Sequence, residues 1–185
     1  MESFEYSGAH PNRVVFGSGS IKKLPDEVKR LNKSAPLLLS TPQQADQVKQ
    51  LDTMLKEGSI TPVGLYSNAT MHTPTHITDE ALNHAKDSGA DCVISFGGGS
   101  TIGLGKAISI RTGLKHICIP TTYAGSEMTP ILGETADGKK TTRSDKKILP
   151  GTTIYDVDFT MTLPAALSAT SGVNAIAHAG KRRCA

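Results

Sequence analysis

Asp91-Cys92-Val93-Ile94-Ser95-Phe96-Gly97-Gly98-Gly99-Ser100-Thr101 is the stretch that decides the fold class. A short apolar run ends in consecutive glycines and two hydroxyl residues. Asp91–Phe96 reads as a strand that runs straight into the glycines. The residues after Gly99, to about Arg111, read as a helix. Glycines lack Cβ, so their backbone N–H groups can approach a phosphate closely. The helix start adds unpaired N–H groups and the positive end of its dipole, and Ser100 and Thr101 add hydroxyl donors. The loop departs from two common templates. Counted from Gly97, the Rossmann G-x-G-x-x-G/A pattern puts Ile102 where a small residue is required. P-loop spacing puts Ser100 and Ala107 where Gly and Ser/Thr belong. Taken alone, the loop can also be a glycine turn that merely lets helix pack on strand.

Outward from this loop, Arg13–Phe16, Pro36–Ser40, Val63–Ser67, Lys115–Pro120 and Thr152–Val157 read as further strands. Helices are expected over Ser20–Leu31, from Thr41-Pro42 to about Gly58, and onward from Thr78. Thr41 and Thr78 are the expected N-caps, with Pro42 at a first helical position. Ile131–Thr142 reads as a hairpin about Asp137-Gly138. The alternation predicts an α/β, Rossmann-like, mostly parallel sheet domain over 1–160. Beyond Leu163-Pro164 the chain turns rich in Ala and Ser at helical spacing. Residues 161–185 are therefore expected to be the start of a second, all-helical domain, too short to bury a core of its own.

The bulk numbers narrow the class. A chain of 185 residues with 37% hydrophobic and 20% charged residues is globular, not disordered. A net charge of +3 without a long Lys/Arg run points to no nucleic-acid partner. No apolar run approaches bilayer length, and Met1–Gly17 has no apolar signal core, so no membrane association is expected. Cys92, Cys118 and Cys184 are odd in number and lack C-x-x-C spacing. Together these features predict a cytoplasmic protein.

A second loop follows the strand ending at Pro120: Thr121-Thr122-Tyr123-Ala124-Gly125-Ser126-Glu127-Met128-Thr129. It is rich in hydroxyls and sits at the carboxyl end of a strand, where open α/β sheets bind ligands. With the glycine loop it resembles the iron-containing alcohol dehydrogenase superfamily. The finer resemblance is to the maleylacetate reductases. It rests on Arg13-Val14-Val15-Phe16-Gly17, Met71-His72-Thr73-Pro74, Gly103-Leu104-Gly105-Lys106-Ala107, Thr122 to Pro130, Gly133-Glu134-Thr135 and Ile154-Tyr155-Asp156-Val157-Asp158.

The resemblance implies NAD(P)H-dependent reduction of maleylacetate, a small dicarboxylate, to 3-oxoadipate in aromatic degradation. It implies that Gly97, Gly98, Gly99, Ser100 and Thr101 hold the pyrophosphate. It places Thr121, Thr122 and Ser126 at the nicotinamide side, and more weakly it gives Lys140 a cofactor contact. Many relatives carry an Asp after the second strand that reads the adenosine ribose; here Ser40-Thr41-Pro42 stands instead. Without that carboxylate either NADH or NADPH is expected to serve. A homodimer is compatible with the resemblance.

Metal-dependent members place an Asp and a His four residues apart on one helix face, and here those positions are Asn174 and His178. A neutral amide is a poorer cation ligand than a carboxylate, so a divalent metal is not expected. His178 could instead orient substrate or donate a proton, as the candidate catalytic residue. Gly180-Lys181-Arg182-Arg183-Cys184-Ala185 departs from the family pattern and reads as an aberrant tail, of the kind a shifted frame or truncated gene leaves. A metal-dependent alcohol or polyol dehydrogenase and an inactive nucleotide-binding fragment stay open as alternatives.

Overall fold

The structure, a computed structural model, describes residues 3–7 and 12–181. Among these residues, β1 (Phe4–Ser7), β2 (Arg13–Phe16), β3 (Pro36–Leu39), β4 (Gly64–Tyr66), β5 (Cys92–Gly97), β6 (Lys115–Pro120) and β9 (Thr152–Tyr155) form a seven-stranded sheet. Its order is β1-β2-β9-β6-β5-β3-β4. Every pairing is parallel except β1 on β2. The fold is thus α/β and Rossmann-like, as the alternating pattern predicts. β1 was not expected, since four residues carry too little periodicity to announce a strand, and it pairs antiparallel at the sheet edge. β7 (Ile131–Ala136) and β8 (Lys139–Ser144) form the expected hairpin, with Asp137 and Gly138 both at positive φ.

Five helices lie among the described residues: α1 (Leu24–Arg30), α2 (Ala45–Glu57), α3 (Thr75–Asp87), α4 (Gly99–Thr112) and α5 (Ala165–Lys181). The expected helix over Ser20–Leu31 is a 3-10 turn, Ser20–Lys23, running into α1. Thr78 does not cap α3. The helix starts earlier because Pro74 is already extended at its start, and the Thr78 hydroxyl, inside the helix, donates to Pro74 O at 3.4 Å. Thr41 is extended as a cap residue is, but no side chain caps that end; Pro42–Gln44 form a 3-10 turn before α2.

One core buries Leu24 and Val28 of α1 and Val48, Leu51 and Leu55 of α2 against Ile94, Phe96, Ile117 and Ile119. A second buries Ala81 and Ala85 of α3 and Leu104 and Ile108 of α4 with Leu37, Leu39 and Val93. The two faces of the sheet are thus covered by different helix pairs. α2 leaves β3 toward one face and α4 leaves neighbouring β5 toward the other. Their divergence opens a crevice at the carboxyl ends of β3 and β5, the topological switch point where such sheets bind ligands.

α4 packs unusually close to the sheet at Gly105. A Cβ there would lie 2.3 Å from His116 Nε2 and 2.4 Å from Ser95 Oγ. Ser95 Oγ donates to Thr101 O at 3.1 Å, which leaves His116 Nε2 as donor in its 2.8 Å contact with Ser95 Oγ. Both side chains are buried and have nowhere to move. Gly105→Ala gains roughly 1 kcal/mol of helix propensity, but the overpacking should outweigh it, for a net loss of about 2 kcal/mol. Urea unfolding measures this, and a variant as stable as the parent would contradict the packing described.

A candidate cofactor cleft

The glycine loop lies where the switch point puts it. Gly97 has φ +146°, and a Cβ there would come within 2.7 Å of both Gln44 Oε1 and Thr101 Oγ1. Gly98 has ordinary extended torsions, φ −90° and ψ −159°. Its constraint is space, because a Cβ would sit 2.9 Å from Thr122 Oγ1 and 3.0 Å from Thr122 Cγ2. The glycine loop and the Thr-Thr loop thus approach so closely that any side chain at Gly98 would meet Thr122. α4 starts at Gly99 with no side chain capping it, so its first N–H groups and dipole point into the crevice.

A cleft of about 560 Å³ opens there, lined by Thr41, Gly98, Gly99, Ser100, Thr121 and Thr122 from the sequence-derived set. Gln43, Gln44, Gln47, Met71 and Phe159 line it too. Gln44 Nε2 donates to Thr121 Oγ1 at 3.0 Å, tying the β3 side of the cleft to the β6 side. Gln44 and Gln47 were missed by sequence reasoning. The usable signal was their spacing just after Ser40-Thr41, on the first turns of a helix opening at a strand's carboxyl end. Thr101 Oγ1 and Ser40 Oγ are buried below the loop without a hydrogen-bond partner among the described residues.

The remaining sequence-derived residues are placed elsewhere. Ser126 Oγ lies 3.3 Å from the ammonium of buried Lys106, and Ser126 does not line the cleft. Lys140 stands on β8, whose side chains are all exposed, and does not line the cleft either. Asn174 is exposed on α5, and the side chain of His178 lies outside the described residues, as do residues 182–185 of the expected aberrant tail. Among the described residues, no three His, Cys, Asp or Glu side chains gather as a metal site would require. These residues therefore do not by themselves fit a metal.

Two other cavities frame the choice. A larger one, about 910 Å³, lies at the amino ends of β2 and β6 and is bordered by the carboxyl ends of α1 and α4, with Arg13, Arg30 and Lys146 on its walls. Parallel sheets bind ligands at the opposite edge, so the smaller cleft is the better site. A cavity of about 520 Å³ shares Thr122 with that cleft and is mostly apolar, lined by Val14, Phe16, Tyr123, Met128 and Tyr155. Tyr155 donates to Glu127 Oε1 at 2.7 Å, and burial together with that carboxylate pushes its hydroxyl pKa up.

Residues 11–157 match the family model for iron-containing alcohol dehydrogenases. The chain belongs to this family. The maleylacetate reductase of Rhizobium sp. strain MTP-10005 is 50% identical over 98% of this chain and 50% of its own length. The crystal structure of maleylacetate reductase from Agrobacterium tumefaciens superimposes with a TM-score of 0.88 at 50% identity, over 97% of this chain and 50% of that one. A less similar solved structure, the NADH-dependent butanol dehydrogenase A of Thermotoga maritima, gives a TM-score of 0.82 at 25% identity, over 94% of this chain and 49% of that one. The chain thus spans about half the length of the curated relatives it matches. Because the family is named for iron, the expectation that no divalent metal is held finds no support in this match. Among the described residues, no helix is long and apolar enough to cross a membrane.

Proposed function

We propose that this chain is the nucleotide-binding part of an NAD(P)H-dependent reductase acting on maleylacetate to give 3-oxoadipate. The observation that carries the reading is the approach of Gly98 to Thr122 at the sheet's switch point, with the start of α4 aimed between them. The residues fit a dinucleotide. Gly97 and Gly98 keep clear a cradle that side chains would fill, and buried Thr101 Oγ1 and Ser40 Oγ are hydroxyls without a partner among the described residues.

In this reading the N–H groups of Gly99, Ser100 and Thr101 bind the pyrophosphate. Gln44 holds Thr121 so that the Thr-Thr loop keeps its distance from the glycine loop. Thr122, which borders both the cleft and the apolar cavity, directs the nicotinamide end toward the latter. The cofactor, when bound, supplies a hydride to the dicarboxylate. The apolar walls from Phe16, Tyr123 and Met128 exclude water on that side. Lys140 and Ser126 contact cofactor only if the hairpin and the 126–129 turn close on it. His178 and α5 belong to a second, helical unit beginning near residue 161, which would wall the substrate. Buried free thiols at Cys92 and Cys118 accord with a reducing compartment such as the cytoplasm. Titrating the chain with NADH and following cofactor fluorescence tests the reading. Saturable binding is expected, and none at millimolar NADH would reject it.

The same experiment addresses cofactor choice. The ribose end of the cleft presents Thr41, Gln43, Gln44 and Gln47, with neither a carboxylate nor a cation. Nothing there repels a 2′-phosphate and nothing attracts it. Affinities for NADH and NADPH should therefore lie within about tenfold, or roughly 1.4 kcal/mol. A thousandfold preference would show that a charged group outside this set reads the ribose.

A further inference from the structure

Lys106 lies in the middle of α4 with its side chain fully buried. Its ammonium donates to the carbonyl oxygens of Ser126, Thr129 and Ile131, the last two at 2.8 and 2.9 Å. It also lies 3.3 Å from Ser126 Oγ and 3.2 Å from Thr129 Oγ1. Three N–H donors thus meet three carbonyls, and every partner belongs to one short segment. That segment joins the Thr-Thr loop to the β7–β8 hairpin. Among the described residues no carboxylate forms an ion pair with Lys106. Burying an ammonium without an ion-pair partner is unfavourable. A methionine would fill the same space without that penalty. What the charge adds is a fixed position for the backbone of 126–131.

We propose that Lys106 is a positioning residue, which holds the Thr121–Ile131 loop against α4 and so sets the spacing between Thr122 and the glycine loop that a dinucleotide requires. The proposal rests on the cofactor-binding reading. α4 carries the glycine loop at its start and Lys106 two turns later, so one rigid helix fixes both walls of the cleft. The groups facing Lys106 are Glu127 from the 126–128 turn and Cys118 and His116 from β6, with Tyr155 of β9 behind Glu127. Burial pushes His116 down to about 3 and the Cys118 thiol well up, so both are neutral near pH 8. Burial also brings Lys106 down to about 8. Above that pH the neutral amine has two protons for three carbonyls, and one carbonyl loses its partner.

Hydrogen exchange on Lys106→Met tests the proposal without any ligand. Exchange across 121–131 should quicken by about tenfold or more while 97–104 stays as in the parent. NADH, which reaches both loops, should bind at least about tenfold more weakly to the variant. ADP, which reaches only the adenosine and pyrophosphate end, should change by less than about twofold. Unchanged exchange across 121–131 overturns the proposal, and so does an equal loss of NADH and ADP, which would mean a general loss of packing. If parent and variant bind neither nucleotide, the cofactor reading fails while the exchange result still decides what Lys106 holds. Should the variant not fold, the parent decides. Between about pH 6.5 and 9.5, exchange at 121–131 relative to 97–104, corrected for intrinsic rates, should rise through about pH 8. A ratio that stays flat as the pH is raised until the protein unfolds overturns the proposal.

Discussion

Gly98→Val should weaken NADH binding at least about 100-fold, a loss of about 2.8 kcal/mol. The magnitude follows from where the new atoms go. The Cβ alone would lie 2.9 Å from Thr122 Oγ1, and the two methyl groups would extend into the space between the loops. Gly98 has torsions that any L residue adopts, so the backbone has no reason to refuse valine. This separates it from Gly97, where a side chain would also strain a φ of +146°. The variant should keep the far-UV circular dichroism of the parent and lose the NADH fluorescence response. A variant that binds NADH as the parent does would show that the pyrophosphate lies elsewhere, and the assignment of Gly97 to Thr101 would fall with it.

The second large effect concerns turnover. These 185 residues alone should reduce maleylacetate at least about 1000-fold more slowly than the same residues joined to the second half of the Rhizobium relative, a barrier difference of about 4 kcal/mol. Hydride transfer requires the substrate to be held against the cofactor with water excluded. In the structure α5 projects with Val173 67% and Ile176 74% exposed, and Met161 is 80% exposed before it. Large apolar side chains thus stand exposed along α5, and Leu167 of the same helix lines the cleft. Stopped-flow measurement of maleylacetate-dependent NADH oxidation on the two proteins decides the matter. Equal rates would mean that the residues described carry the whole reaction, and the reading of this chain as the cofactor half of the site would be wrong.

How much of the site was legible depends on the range of the interactions. The glycine loop could be read because strand, glycines and helix are contiguous, and their chemistry follows from backbone geometry alone. The Thr-Thr loop could be read for the same reason. The bond from Gln44 to Thr121 spans 77 residues and has no local pattern to announce it. Ser126 resembled a cofactor residue by its place in a motif, yet in the structure it is engaged with Lys106. Lys106 entered the sequence reading only as part of the Gly103–Ala107 motif, with no role of its own, because burial is a property of what α4 packs against, not of its own neighbours in sequence. β1 escaped notice because four residues become a strand only when β2 offers an edge to pair with.

By itself, the sequence determined the α/β alternation, the two loops and the strand ends from which they spring. Those features depend on side-chain periodicity and on glycine and hydroxyl chemistry within a few residues, and such short-range preferences are written locally. The tertiary structure alone decided the strand order, the divergence of α2 and α4 about β3 and β5, and the meeting of Gly98 with Thr122. It also decided the burial of Lys106 under the carbonyls of 126–131. These are contacts between residues far apart in sequence. They exist because two apolar helix faces and one sheet must bury their surfaces together, and that packing selects which distant backbone groups come within hydrogen-bonding reach.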